Sequence, residues 1–578
     1  MAKKLPLTTP LDFHPDDFYQ PHTTPDNVCH KGKGAAGVYG AETTECDSPY
    51  SLVNATFDWV ASHIKDDVDF VIWTGDSARH DGDENHPRNA DEVFRTNRFI
   101  ADRFVDTFSD NKGRLAVPII PTFGNNDFLP HNIFEAGPNK WLAAYTDIWR
   151  RFIPEEQRHS FEFGGWFYVE VIPNKLAVFS LNTMYFFDRN AAVDGCAAPS
   201  EPGYKHMEWL RIQLQLMRSR GMKAILMGHV PPARTESKQL WDETCWQRYT
   251  LWLKQYRDVV VAGLYGHMNI DHFLLGDSKE IDLNVDAKTL QQRTFLDIEG
   301  HRDVSAASKK DYLDELRDQW SDLPGSAARI SDVEAQAGKK KKKKFKKIGG
   351  KHAERYQLTL VSPSVVPNYF PTLRIYEYNI TGLDQQAVWE DSSTILSEES
   401  RVKEDSHLEL RDVEFDVAGK KKGKKGKKGK KGKGKKPKDP NLTVPEGPAK
   451  EDLPGPAYYD QTLTLLSYQQ WFANLTHINN EKDGKAKPRE FKFEVEYETK
   501  NDKRYKLKDL TVRNWLKLAY KMGKGAEGDA LDVDKAAVGK GKGKKKKGKK
   551  KKGDNKAWLA FLSRAFVGTV ADEDLKSD

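Results

Sequence analysis

Long apolar runs are missing from this chain. No stretch among its 578 residues reaches the roughly 18–20 consecutive apolar residues that span a bilayer as a helix, so no segment reads as a membrane span. The opening, MAKKLPLTTPLDFHPDDFY, has a short basic start and no apolar core, and it does not read as a signal peptide. No period of 20–50 residues recurs, which sets solenoid architectures aside. Cysteine is scarce, with four in all. Aromatics are not scarce: at 11% they argue against global disorder. The length allows two or more domains and a large core.

The net charge of +7 hides a split. Three lysine-glycine tracts, 339–347, 420–438 and 540–552, hold 31 lysines, and without them 61 basic residues face 85 acidic ones, a formal −24. The body is acidic and its basicity is appended. Lysine alternating with glycine builds no core, so the tracts read as solvated linkers. They also suit a polyanion, because each neutralised phosphate releases counterions. Few aromatics interleave the lysines, which disfavours base stacking and specific nucleic-acid binding.

Strand and helix patterns alternate over 52–275. DFVIWTGD (69–76), RLAVPIIPTFGNND (114–127), KAILMGHVPP (223–232) and DVVVAGLYGH (258–267) are apolar runs that end in polar residues. Met207, Leu210, Leu214 and Met217 recur at helical spacing, with Gly221 as a stop, and 166–186 reads as a hairpin turning at Pro173-Asn174. The pattern predicts a layered α/β fold. We divide the chain into a core at 1–275, a charged insertion with a lysine tract at 276–355 and returning strands at 356–394. A disordered linker follows at 395–455, then an extension at 456–578. In the extension 459–475, 510–523 and 556–568 look helical.

Five polar clusters stand out: Asp12-Phe13-His14; Gly75-Asp76 with His80-Asp81; Gly124-Asn125-Asn126-Asp127; Gly228-His229; and Gly266-His267-Met268-Asn269. Four of them sit at the carboxyl ends of predicted strands, the edge where α/β sheets collect ligands. Mixed imidazole, carboxylate and amide oxygen suits first-row and hard divalent metals. Singly, each cluster is weak: an Asn-Asn-Asp triplet is usually a loop, and a lone Gly-His is usually a turn. Together, in the order DxH, GDxxxHD, GNN(D), GH, GHxN, they resemble the calcineurin-like metallophosphoesterases. DFHPDDFY, GDSARHD, GNNDFLPHN, GHVPPA, YGHMNIDHF and SPSVVPNYFPTLRIYEYNITGL look more narrowly like the fungal vacuolar endopolyphosphatases, in the acid-sphingomyelinase-like branch.

That resemblance implies a metallophosphoesterase β-sandwich flanked by helices, with Lys-rich insertions and a small C-terminal helical extension. It implies two divalent ions (Mn, Mg, Co, Zn or Fe) whose bridging hydroxide cleaves internal phosphoanhydride bonds of inorganic polyphosphate. Asp12 and His14 would bind the first ion, Asp76 would bridge, and Asn125, His229 and His267 would complete the second. Asn269 stands where many relatives place a second histidine on the first ion. Asn126 stands where many esterases carry the histidine that protonates the leaving group, and His80 is a partial replacement or an orienting group. A sphingomyelinase-like or nucleotide phosphodiesterase is the enzyme alternative, and an inactive polyanion-binding protein is the alternative from another class. Pro6 and Pro10, ahead of Asp12, suit edges and turns, which puts the placement of Asp12 in question.

The resemblance also implies a vacuolar lumen or membrane and a membrane anchor, although no anchoring segment is present in this sequence. Sequons begin at Asn54, Asn379, Asn441 and Asn474. A disulfide reading pairs Cys29 with Cys46 and Cys196 with Cys245; four buried thiols are the alternative. Oligomeric state is not legible.

Overall fold

The apolar runs of the sequence become the strands of two six-stranded sheets that share one core. The first contains β1 (Pro6–Thr8), β2 (Val71–Trp73) and β3 (Ile119–Pro121). The second contains β4 (Phe167–Ile172), β5 (Leu176–Ser180), β6 (Lys223–Gly228), β7 (Val260–Tyr265) and β8 (His272–Asp277). The segment 356–383 supplies one strand to each sheet: β9 (Tyr356–Val361) lies between β7 and β8, and β10 (Thr372–Tyr378) lies beside β1. Two later strands, β11 (Leu465–Phe472) and β12 (Glu494–Glu498), extend the first sheet. The orders are β12-β11-β10-β1-β2-β3 and β4-β5-β6-β7-β9-β8. This computed structural model describes residues 6–8, 12–282, 306–328, 345–383, 389–391, 442–449, 451–480, 487–532 and 554–575. The lysine tracts lie outside the described residues except at 345–347, as does Asn441.

β1, β2 and β3 run parallel, as do β5, β6, β7 and β9. Parallel strands need crossovers, and helices supply them. α1 (Tyr50–His63) and α2 (Ala90–Phe108) serve the first sheet. α5 (Pro202–Ser219) and α6 (Glu243–Gln255) serve the second, after α3 (Lys140–Ile148) and α4 (Arg158–Gly164). α5 buries Met207, Leu210, Leu214 and Met217 and stops before Gly221, which takes φ +69°. Every residue of β2, β3 and β7 is buried, so these strands read as unbroken apolar runs rather than alternating ones. β4 and β5 form the expected hairpin, with Asn174 at φ 60° in its turn. α7 (Ala306–Ser321) buries Tyr312, Leu313, Leu316 and Trp320 in the main core.

Two expectations are corrected. Pro6 does not put its strand at an edge, and Pro10 lies outside the described residues. β1 lies inside the sheet, paired antiparallel with β10 from Pro6↔Glu377 to Thr8↔Ile375 and joined to β2, among the described residues, by Thr8↔Val71. Proline is tolerated at the first residue of so short a strand. The stretch 459–475 is not a helix but contains β11, hydrogen-bonded to β10 and β12. LLSYQQWF is short and rich in aromatics, so it fits a helical stripe and a half-buried strand about equally, and the open edge of β10 decides. The helices expected at 510–523 and 556–568 are present as α8 (Val512–Met522) and α9 (Lys556–Ala565).

Both disulfides form as paired from the sequence, Cys29–Cys46 across 17 residues and Cys196–Cys245 across 49. Loops of these lengths correspond to roughly 3 and 4 kcal/mol of stabilisation in the chain-entropy account. Intact mass should therefore rise by four hydrogens on full reduction. Cys196→Ser with Cys245→Ser should lower unfolding free energy by about 4 kcal/mol, and a change below about 1 kcal/mol would contradict the entropic account.

Candidate metal centre

Five loops meet where the parallel strands end. The chain leaves β2 through Thr74 and turns sharply at Gly75, φ +96°, and Asp76, φ 51°. A Cβ on Gly75 would lie 2.3 Å from the Gly124 nitrogen, and one on Gly124 would lie 2.1 Å from Asp76 Oδ1. Both glycines are therefore required by the close approach of the two loops. Asp127 braces them: its carboxylate accepts the backbone N–H of Asp76 at 2.8 Å, of Ser77 at 2.7 Å and of Gly124 at 2.8 Å, and the Asn97 amide at 3.1 Å. His14, Asp76, His267 and Asn269 all have positive φ, between 45° and 71°. Such conformations are costly for non-glycine residues and gather at functional sites.

Asp76 is the hub. Its Oδ2 lies 3.3 Å from His14 Nε2 and 3.2 Å from His229 Nε2. Asn125 Oδ1 lies 2.8 Å from both His229 Nε2 and His267 Nδ1, and those nitrogens are 3.1 Å apart. On the other flank, Asp12 accepts the Thr74 hydroxyl and, at 3.0 Å, the His267 N–H. The structure thus brings Asp12, His14, Asp76, Asn125, His229 and His267 together. Asn269 is turned aside: its oxygen accepts the Ser364 hydroxyl at 2.7 Å and its amide donates to Asn368 at 2.9 Å.

The donor set fits divalent cations. His14 Nδ1–H donates to the Ala78 carbonyl at 3.0 Å and His229 Nδ1–H to the Thr74 carbonyl at 2.8 Å. Those bonds commit Nδ1 of both rings and leave Nε2, which faces Asp76, as the nitrogen that a cation would take once its proton is lost. His14 Nε2 is buried and makes no hydrogen bond. Burial disfavours charge on His14 and His229, but the Asp76 carboxylate outweighs it and raises both to about 9. Asp76, despite its burial, is held well below the usual carboxylate range by His229 and His14. Burial pushes Asp12 up. It lifts Asp127 to about 6, with Asp76 adding, and burial followed by His229 drives His267 well down. Imidazoles that stay protonated against one buried carboxylate mark a site built to hold positive charge.

His80 and Asn126 flank this centre. The His80 ring stacks on His14 at 4.0 Å, and its backbone N–H and Nδ1–H both donate to Asp47 at 2.6 Å. Asn126 donates its N–H to Asp76 Oδ1 at 2.8 Å and its amide to Oδ2 at 3.1 Å, while Arg88 donates to its side-chain oxygen at 3.1 Å. Sequence reasoning gives no role to four residues here, Asp127 among them although it stands in the named cluster. Asp47 orients His80, Arg88 orients Asn126, and Asp127 pins the loops. His131, burial-shifted down to about 4 and therefore neutral, accepts the Asn125 amide N–H at 2.9 Å, so that the amide oxygen faces the two histidines. For Asp127 and His131 the signal was present, since both lie within GNNDFLPHN.

The calcineurin-like phosphoesterase family profile matches residues 12–270. Proteins named endopolyphosphatase are similar to this chain over most of its length. The one from Neurospora crassa is 53% identical over 90% of this chain and 78% of its own. The one from Yarrowia lipolytica is 34% identical, covering 94% and 85%, and the one from Saccharomyces cerevisiae is 35% identical, covering 88% and 81%.

Proposed function

Since the chain belongs to the endopolyphosphatases of the calcineurin-like phosphoesterase family, we propose that it hydrolyses internal phosphoanhydride bonds of inorganic polyphosphate at the centre around Asp76. One observation carries the chemistry: the His14 and His229 nitrogens face Asp76 Oδ2, and the Asn125 amide oxygen lies against both His229 and His267 beside them. A pair of divalent cations, when bound, supplies Lewis acidity toward phosphoryl oxygens and acidifies water. Asp12, His14 and Asp76 would hold one cation, and Asp76, Asn125, His229 and His267 the other. Asn269 ties the His267 loop to Ser364 and Asn368.

The chain's own residues explain why an anhydride is the better substrate. Asn126 has no proton to give, and its amide is committed to Asp76 and Arg88. An alkoxide leaving group needs an acid, which contributes roughly 10²–10⁴-fold, whereas a phosphate leaving group, with a second pKa near 6, departs more readily. His80, held by Asp47, orients His14 and faces the substrate side, since its side chain retains 27% exposure. Asn126→His should therefore raise the ratio of alkyl phosphate ester to polyphosphate hydrolysis by at least about tenfold. An unchanged ratio would remove Asn126 from the specificity argument.

Long-chain polyphosphate digested with each of several divalent ions and resolved on gels tests the reaction. Intermediate lengths are expected. Steady monophosphate release from chains of otherwise full length would overturn internal cutting, and preference for a phosphodiester or ATP would favour the esterase alternative. We further propose a vacuolar setting, as the resemblance implies, with a membrane anchor and glycans at the sequons. Asn54, Asn379 and Asn474 are each half-buried at their sites, so a glycan on any of them would have to turn outward. The lysine tracts are proposed to gather the polyanion toward an acidic body.

A further inference from the structure

A second cluster of ligating side chains lies outside the centre described above. His30 Nδ1 is 2.7 Å from Asp83 Oδ2, and His86 Nδ1 is 2.8 Å from the same oxygen. The three ligating atoms lie within 4.8 Å of one another. Each is also held from behind. Asp16 Oδ2 sits 2.7 Å from His30 Nε2, and the other Asp16 oxygen accepts the Phe18 N–H at 2.9 Å. Asp83 Oδ1 accepts the Asn85 backbone N–H at 2.9 Å and its amide at 2.8 Å, which turns Oδ2 toward both imidazoles. The rings of His30 and His86 are edge to face at 5.5 Å, with Phe18 packed on His86 at 4.3 Å.

We infer that His30, Asp83 and His86 form a third cation site, separate from the centre around Asp76, for a single transition-metal ion of the zinc type. The chemistry matches. Two imidazoles and one carboxylate are a borderline-metal donor set. A carboxylate on the far nitrogen of a ligating histidine is the arrangement that fixes its tautomer and raises its basicity. Asp16 stands there for His30. Without a cation, His30 must carry protons on both nitrogens to satisfy two carboxylates, and Asp83 Oδ2 must take hydrogen bonds from both rings.

The site adds a tie between two loops that also meet at His14–Ala78 and Asp47–His80. Asp16 and His30 belong to the loop after Asp12-His14; Asp83 and His86 belong to the loop that bears His80 and Arg88. Arg79 braces the second loop by donating to the His86 carbonyl at 2.5 Å and to Glu92 at 2.6 Å, and its guanidinium lies 5.1 Å over the Phe18 ring of the first. The Cys29–Cys46 disulfide adjoins both His30 and Asp47, the residue that holds His80. A cation here positions His80 and Arg88; it does not touch substrate. Loss of a support of this kind lowers activity by about 10–100-fold.

Metal content per chain decides the matter, measured on full-length protein stripped, reloaded with zinc and freed of excess. His86 is 38% exposed at its side chain, so His86→Ala is expected to fold, and Asp83→Asn provides a second variant of nearly unchanged shape. Each should bind one zinc fewer than wild type, and cobalt reloading should show the matching loss of a nitrogen-ligated absorption band. Equal metal content in wild type and both variants would overturn the site and leave a protonated His30 between two carboxylates. The inference is separable from the proposed reaction: Asp76→Asn should remove metal from the other centre only, leaving the band that His86→Ala deletes.

Discussion

Asp76→Asn should lower kcat on polyphosphate by about 10³-fold or more, which corresponds to roughly 4 kcal/mol of transition-state stabilisation. The carboxylate lies between the two halves of the centre. Its Oδ2 faces His14, His229 and the Asn126 amide at 3.1–3.3 Å, and its Oδ1 accepts the Asn126 N–H at 2.8 Å. An asparagine keeps the shape and one acceptor, but it removes the charge that holds His14 and His229 protonated in the absence of metal. The same charge makes the position attractive to cations. The fold should survive, because the turn is pinned through the Asp76 and Ser77 backbone N–H groups on Asp127, which the substitution leaves in place. Unfolding midpoint and polyphosphate retention are therefore expected to stay near wild type while turnover and metal content fall. Retention tests the lysine tracts independently, and an inactive polyanion-binding protein would show no turnover to lose. Activity within tenfold of wild type would mean that Asp76 is not the shared ligand.

How much of this the sequence discloses depends on how local the signal is. The parallel strands are legible because burial on both faces leaves unbroken apolar runs, and their tips are legible because Gly-Asp, Gly-Asn and Gly-His interrupt those runs. Six of the seven predicted metal ligands converge as a result. Asn269 does not turn toward the other six because Ser364 and Asn368, about a hundred residues away, engage both ends of its amide; no spacing rule reports such a partner. Asp47 and Arg88 were missed for the same reason, since each acts through a residue on another loop. β11 was misread because its identity comes from the open edge of β10, not from its own eight residues. The cluster of Asp16, His30, Asp83 and His86 is spread over residues 16–86 without a recognisable motif, and only the folded loops make it visible.

Arg374→Leu should cost about 3–5 kcal/mol of stability, the range for removing one partner of a buried ion pair. Arg374 lies in β10, donates to Gln470 of β11 at 2.9 Å, pairs with Asp271 at 2.5 Å and sits 4.2 Å over the Tyr468 ring. Tyr497 of β12 donates its hydroxyl to Asp271, and the Asp271 N–H donates to the Ala565 carbonyl of α9 at 3.1 Å. This group therefore joins the C-terminal strands and helix to the loop just past His267 and Asn269. Burial would weaken the guanidinium charge, but Asp271 outweighs it and holds Arg374 well above its ordinary value. Leucine would leave the Asp271 carboxylate buried with a hydroxyl and no countercharge. Arg374→Lys should lose less, keeping the charge but not the planar fork that reaches Gln470 and Asp271 together. The decisive comparison is the double variant Arg374→Leu with Asp271→Leu: with both charges gone, most of the lost stability should return. If the double variant instead falls by the sum of the two single losses, the pair is not coupled, and the C-terminal strands hold the His267 loop by packing alone.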